Sequence, residues 1–194
     1  MPPKVKITKN DIIATTLDLI RENGAGAINA RSIASALNCS TQPIFSNFSS
    51  MEELEEEVLR AAHEHYLGFI NEELQKGIYP PYKAFGMAYI RFADEEKELF
   101  KLLFMCDRSG KDLTPTADFE ASVEMIMKSN GFTKERAELI HLEMWACVHG
   151  IGTMLATSFL PLELELISTI MSDIYQGLLT KHLREAEKND CDKN

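Results

Sequence analysis

Apolar residues recur along this chain at intervals of three and four, and a period of two is nowhere sustained, so the pattern predicts helices throughout. From Thr8 to Asn23 the positions Ile12, Ile13, Thr16, Leu17, Leu19 and Ile20 fall on one helical side. Thr8 with Asp11 makes a capping-box start, and Asn23-Gly24 makes a stop. A short helix is expected from about Ala30 to Leu37, with Asn29 as N-cap and Ile33, Ala34 and Leu37 inward. After Asn38-Cys39 comes a third. Ser40 is the expected N-cap, Pro43 sits in the first turn, and Ile44, Phe45 and Phe48 are the expected apolar anchors. Because Pro43 has no N–H, the Ser40 hydroxyl is expected to accept from Gln42.

Ser50 and Glu53 open another capping box, and a long amphipathic helix follows to about Lys76 with Leu54, Val58, Ala61, Ala62, Phe69, Ile70 and Leu74 inward. Gly77 and Pro80-Pro81 end it. Further helices are expected over about 82–94, 96–106, 116–130, 134–158 and 162–187. The fold class is all-α: a three-helix unit over residues 1–50, then a larger helical unit over 51–194. The Ser50 helix, rather than a flexible linker, is expected to serve both.

Composition narrows the classes. With 194 residues, 45% of them hydrophobic, the chain can bury a real core. No apolar run approaches the roughly 20 residues of a membrane span, and no signal-peptide pattern opens the chain, so no membrane association and a cytoplasmic location are expected. Cys39, Cys106, Cys147 and Cys191 are far apart, without the spacing of a disulfide framework or a zinc knuckle. The overall charge of −10 would speak against nucleic acid. It is unevenly placed, however: residues 1–50 hold five basic and three acidic side chains, a net +2, and the remainder carries −12. Binding depends on the face presented, so a basic N-terminal unit keeps DNA open.

Three short helices within 48 residues, the last two joined by a tight turn, form a helix-turn-helix pattern whose third helix would enter the major groove. Its surface carries Ser40, Thr41, Gln42, Pro43, Phe45, Ser46 and Asn47. Gln and Asn amides pair bidentately with adenine, and Ser or Thr reaches base edges and phosphates. Arg31, Lys9 and the arm residues Lys4 and Lys6 are candidate phosphate partners.

The stretch from Asn29 to Phe48, leading into Ser-Ser-Met-Glu-Glu-Leu54, resembles the signature of the TetR family of transcriptional regulators, with Ile33, Ala34, Ser40, Ile44 and Phe48 at the family's spacing. The resemblance implies a homodimer on a palindromic double-stranded DNA operator, paired through its C-terminal helices. It also implies a ligand-responsive regulator, a repressor released by a small lipophilic effector. Four positions depart from the family pattern. Asn38 stands for a turn Gly and tolerates a left-handed conformation; Phe45 stands for a Tyr, Met51 for a Lys, and Asn47 for an aromatic or His. Phe45 and Met51 remove phosphate partners, so a helical ligand-binding or interaction protein with little DNA affinity is the alternative.

The string Trp145-Ala-Cys-Val-His149-Gly150 resembles a Trp-x-x-x-His-Gly element of one TetR subgroup and places Trp145 or His149 at an effector pocket or a dimer seam, or as a core stacking pair. Phe85, Tyr89, Phe104 and Met125 are the other pocket candidates, in a set of middle-helix Phe and Met residues read mostly as core. The acidic balance of the larger unit favours a neutral or cationic lipophilic effector over an anionic one. Gly150 and Gly152 within a helix suggest close packing by another backbone. Ile167, Ile170, Met171, Ile174, Leu178 and Leu179 form the expected dimer face of the last helix. The acidic run Glu52, Glu53, Glu55, Glu56 and Glu57 suits a helix N-terminus rather than a metal, and His63 and His65 lack the spacing of a zinc pair. Neither a catalytic set nor a cofactor motif is expected.

Overall fold

The computed structural model describes residues 7–107 and 117–191. Lys4 and Lys6 lie outside the described residues. The expected all-α class is the observed one. In chain order the helices are α1 (Lys9–Asn23), α2 (Ala30–Ala36), α3 (Gln42–Asn47), α4 (Met51–Lys76), α5 (Pro81–Glu95), α6 (Lys97–Phe104), α7 (Ala117–Asn130), α8 (Lys134–Ala156) and α9 (Leu164–Cys191), with a 3-10 turn at Ala25–Ala27.

These residues form two compact units, and the division does not fall at residue 50. The first unit holds residues 7–68 and Glu95–Asp107; the second holds Phe69–Asp94 and residues 117–191. Three short helices have too little apolar surface of their own. Leu54 and Val58 of α4 and Leu99 and Phe100 of α6, all fully buried, complete the first core. The residues of α4 are therefore shared between the units.

In the first unit α1 starts on the expected capping box. The Thr8 hydroxyl accepts from the Asp11 N–H at 3.2 Å while the Asp11 carboxylate accepts from the Thr8 N–H at 2.8 Å. These bonds hold the Asp11 carboxyl below its ordinary pKa. Ile12, Thr16 and Ile20 turn inward, and α1 packs on α2, α3 and α6. Thr8→Ala should lower stability by about 1 kcal/mol, read as a shift in the urea midpoint; no shift would mean that water replaces the cap without loss.

At the start of α4 the box is offset. Ser50 Oγ accepts from the Glu53 N–H at 3.3 Å, but the Glu53 carboxylate takes the Ser49 N–H at 2.7 Å and the Ser49 hydroxyl at 2.6 Å. Leu74, expected inward, is exposed; the neighbouring Glu73 is the buried residue. Met105, within the helix expected over about 96–106 and just past the end of α6, is also exposed.

In the second unit Val123, Ile126, Phe132, Ala137 and Ile140 form a cluster against which Tyr82, Phe119, Tyr175 and Leu179 pack. At Gly86 a side chain would collide with the methyl of Met171, so α5 and α9 meet closely there. Ile167 and Met171, read from sequence as dimer-face residues, are buried in this unit. The acidic and basic groups of α8 and α9 also meet: Glu143 accepts from Lys181 and bonds His182, each at 2.9 Å, and Arg136 donates to the His182 carbonyl. By length and composition alone α8 could cross a membrane, which the apolar-run reading did not expect. Its residues Ile140, Met144, Val148, Ile151 and Leu155 are buried within the unit.

Candidate nucleic-acid interface

Asn29 begins α2 by accepting from the N–H groups of Arg31 and Ser32 at 3.1 and 2.9 Å, as expected of its N-cap position. The helix ends at Asn38, whose φ of 50° places it in the left-handed region. The Asn38 N–H donates to the Ser35 carbonyl and the Cys39 N–H to the Ala34 carbonyl, at 3.1 and 2.9 Å. This is a Schellman closure, with Asn performing the role usually given to Gly. It closes the end of α2 and makes the turn into α3 tight.

The start of α3 differs from the expectation. Thr41, not Ser40, is the N-cap residue, and no side chain caps the helix. Thr41 already has helical dihedrals, φ −70° and ψ −12°, and its carbonyl accepts from Ile44 and Phe45. The helix thus begins one residue later than expected. Ile44 and Phe48 are buried anchors, as expected, but Phe45 is 53% exposed. In a six-residue helix only one narrow side can face the core; Ile44 occupies it and Phe45, 100° away, does not.

The exposed side carries Gln42, Phe45 and Ser46, with exposed Ser40 and half-buried Thr41 just before them. Two of the polar candidates have internal partners. The Ser46 hydroxyl donates to the Gln42 carbonyl at 2.8 Å, and Asn47 Nδ2 donates to the Pro43 carbonyl at 2.8 Å and to the Ile7 carbonyl at 3.5 Å. Asn47 therefore ties the helix to the segment preceding α1. Pro43 is half-buried beside it.

The cations divide in the same way. Arg31 is exposed and has no ion pair among the described residues. Lys9 instead reaches Glu53 at 3.2 Å and Glu57 at 3.3 Å, and lies 4.9 Å from the centre of the Phe48 ring. The Ser49 bonds, with help from Lys9, hold the Glu53 carboxyl at a pKa of about 2, and the bond to Glu53 raises the Lys9 pKa. No sequence pattern announced this clasp between residues more than 40 apart. Nor did one announce Glu96, which accepts from Arg21 Nε and Nη2 at 2.9 and 3.0 Å and bonds His65 Nε2 at 2.8 Å.

The structure is similar to that of a TetR-like transcriptional regulator from Rhodococcus sp. RHA1, with a TM-score of 0.67 over 91% of this chain and 96% of that one. The fold is TetR-like. Sequence identity in that comparison is 14%. No family model and no curated protein matches the chain.

Within this TetR-like fold the six effector-pocket candidates are divided between the two units. Phe104 belongs to the first unit, packed edge-on to Tyr66 at 5.3 Å and beside Phe100 at 5.2 Å. Tyr89, His149 and Trp145 do associate: the Tyr89 hydroxyl lies 2.8 Å from His149 Nδ1, and Trp145 stacks on that imidazole at 4.8 Å. Burial lowers the His149 pKa. Trp145 is 45% exposed, so the stack lies at a surface and is not a core pair. Phe85 and Met125 are half-buried, on α5 and α7. A second pair, unannounced by the sequence, joins the Tyr82 hydroxyl to His141 Nδ1 at 3.1 Å; burial lowers the His141 pKa to about 4. The groove lined by Asn10, Ile13, Leu17, Glu57, Arg60 and Glu64, about 260 Å3 in volume, is an open one in the first unit and includes none of the six.

Proposed function

We propose that the chain is a DNA-binding transcriptional regulator of the TetR family, acting as a homodimer on a palindromic operator. The observation that carries this reading is the outward side of α3. Gln42 projects its amide from a short helix held by Ile44 and Phe48 and joined to α2 through the Asn38 turn. The TetR-like fold supports the same conclusion. A Gln amide reads adenine through its N6 and N7 atoms in the major groove. Arg31 is the phosphate partner; Lys9, held by Glu53 and Glu57, positions α1 against α4 instead.

Selection of duplexes from a randomised library by the full-length protein tests this. Gln42→Ala should lower discrimination at one base step per half-site by about 1 to 3 kcal/mol. Arg31→Ala should weaken all duplexes alike and reduce the salt slope by about one. A library that yields no enriched sequence would refute the proposal. That result would instead support a helical interaction protein with little DNA affinity, a reading favoured by the engagement of Lys9 and Asn47.

In the finer reading the protein is a repressor released by a small lipophilic effector held in the second unit. The aromatic and imidazole pairs of α5 and α8 support it, since they offer flat apolar surface beside neutral hydrogen-bonding groups. The chain's overall negative charge favours a neutral or cationic effector.

A further inference from the structure

We propose that Phe45 is a specificity-determining residue, its ring seated against the C5-methyl group of a thymine beside the base that Gln42 contacts. This rests on the DNA-binding reading above. Phe45 and Gln42 are three residues apart on α3, hence neighbours on the same outward side, while Ile44 and Phe48 anchor the other. Of the remaining outward or flanking side chains of α3, Ser46 donates its hydroxyl to the Gln42 carbonyl and Asn47 gives its amide nitrogen to Pro43 and Ile7. The Gln42 amide and the Phe45 ring are left as the groups that this helix presents.

A phenyl ring has no donor or acceptor, so it takes neither a phosphate nor a polar base edge. The apolar group on the major-groove edge of a base pair is the thymine methyl. An exposed ring beside an adenine-reading amide therefore selects A·T pairs at adjacent positions, through one bidentate polar contact and one apolar contact. With 53% of its surface open, Phe45 has room to cover such a methyl without leaving its place in the helix.

Replacing thymine by uracil removes that methyl and nothing else. In the best duplex selected by the full-length protein, each thymine is replaced in turn by uracil and binding is measured at fixed salt. One thymine in each half-site should show a loss of about fourfold, the transfer value of one methyl-sized group. For the Phe45→Ser protein the thymine and uracil duplexes should bind equally, with helicity by circular dichroism unchanged. Phe45→Leu, which keeps an apolar side chain, should retain part of the thymine preference and serves if Phe45→Ser does not fold. A flat uracil scan with the unaltered protein, or an undiminished uracil penalty with Phe45→Ser, would overturn the methyl contact while sequence-selective binding stood. A library that enriches nothing would instead remove the DNA-binding reading, and the methyl contact with it.

Discussion

Arg91→Ala is expected to destabilise the second unit by about 3 kcal/mol, among the largest effects of any single change outside the apolar core. Glu73 is only 3% exposed and accepts from Arg91 at 2.6 Å and from Lys76 at 2.5 Å. Arg91 also lies over the Phe69 ring, 5.1 Å from its centre, so the guanidinium joins α5 to the end of α4 by charge and by packing. Removing it leaves a buried carboxylate with one half-exposed ammonium for compensation, which places the effect at the lower end of the range for a broken buried pair. Arg91→Met combined with Glu73→Met should recover most of the loss, since neither partner is then left charged.

The pH dependence has a definite sign. Burial pushes the Glu73 carboxyl up, but the bonds and charges of Lys76 and Arg91 outweigh it and hold the pKa below its ordinary value. The pair therefore contributes stability above the ordinary carboxylate pKa and loses it as the pH falls through the lower folded value. Urea denaturation at pH 7 and at pH 3 should show a smaller Arg91→Ala effect at the lower pH. An effect below about 1 kcal/mol at pH 7 would mean that water reaches Glu73 once the guanidinium is gone.

The second large effect is on assembly. Leu142→Glu should convert the proposed dimer to monomer at micromolar concentration and weaken the proposed operator binding by at least about 100-fold, because two linked heads gain from effective concentration and separate heads do not. Leu139, Leu142 and Trp145 of α8 are 46%, 54% and 45% exposed, an apolar side that a helix facing water rarely carries. A two-fold axis brings the same residue of both copies to one seam, so one substitution introduces two like charges there. Among the described residues nothing lies within 4 Å of the Cβ position of Gly150, which is consistent with the proposed seam. Light scattering checks the oligomeric state. Circular dichroism should show a folded chain, since Leu142 supports little of the protomer's own core. A Leu142→Glu protein that stayed dimeric would place the seam elsewhere.

The all-α class and the helix order were legible because the signals are local. Thr8 and Asp11 lie three residues apart, Asn29 caps the N–H groups two and three residues on, and a left-handed Asn38 lets its own N–H and that of Cys39 close α2 on the Ser35 and Ala34 carbonyls. Such motifs depend on backbone within one turn of the side chain, so residue type and spacing suffice. The candidate DNA-facing helix was legible for the same reason. Which of its residues face outward was not. Ile44 and Phe45 are adjacent and both apolar, and only the packing of α3 on α1 decided that Ile44 is buried and Phe45 exposed.

Tertiary structure alone also decided the charge partners. Lys9 with Glu53 and Glu57, Glu96 with Arg21 and His65, and Glu73 with Arg91 join residues 18 to 75 positions apart, and composition assigns no partner to any of them. In α9 the apolar repeat was visible, but a repeat has no label for the neighbour it meets; Ile167 and Met171 turned out to serve the protomer's own core. The sequence by itself determined where helices start, stop and turn, through contacts within about four residues. The rotation of each helix about its axis, and hence which side is core, interface or ion pair, was decided by packing between helices distant in the chain, where many small apolar contacts outweigh any local preference.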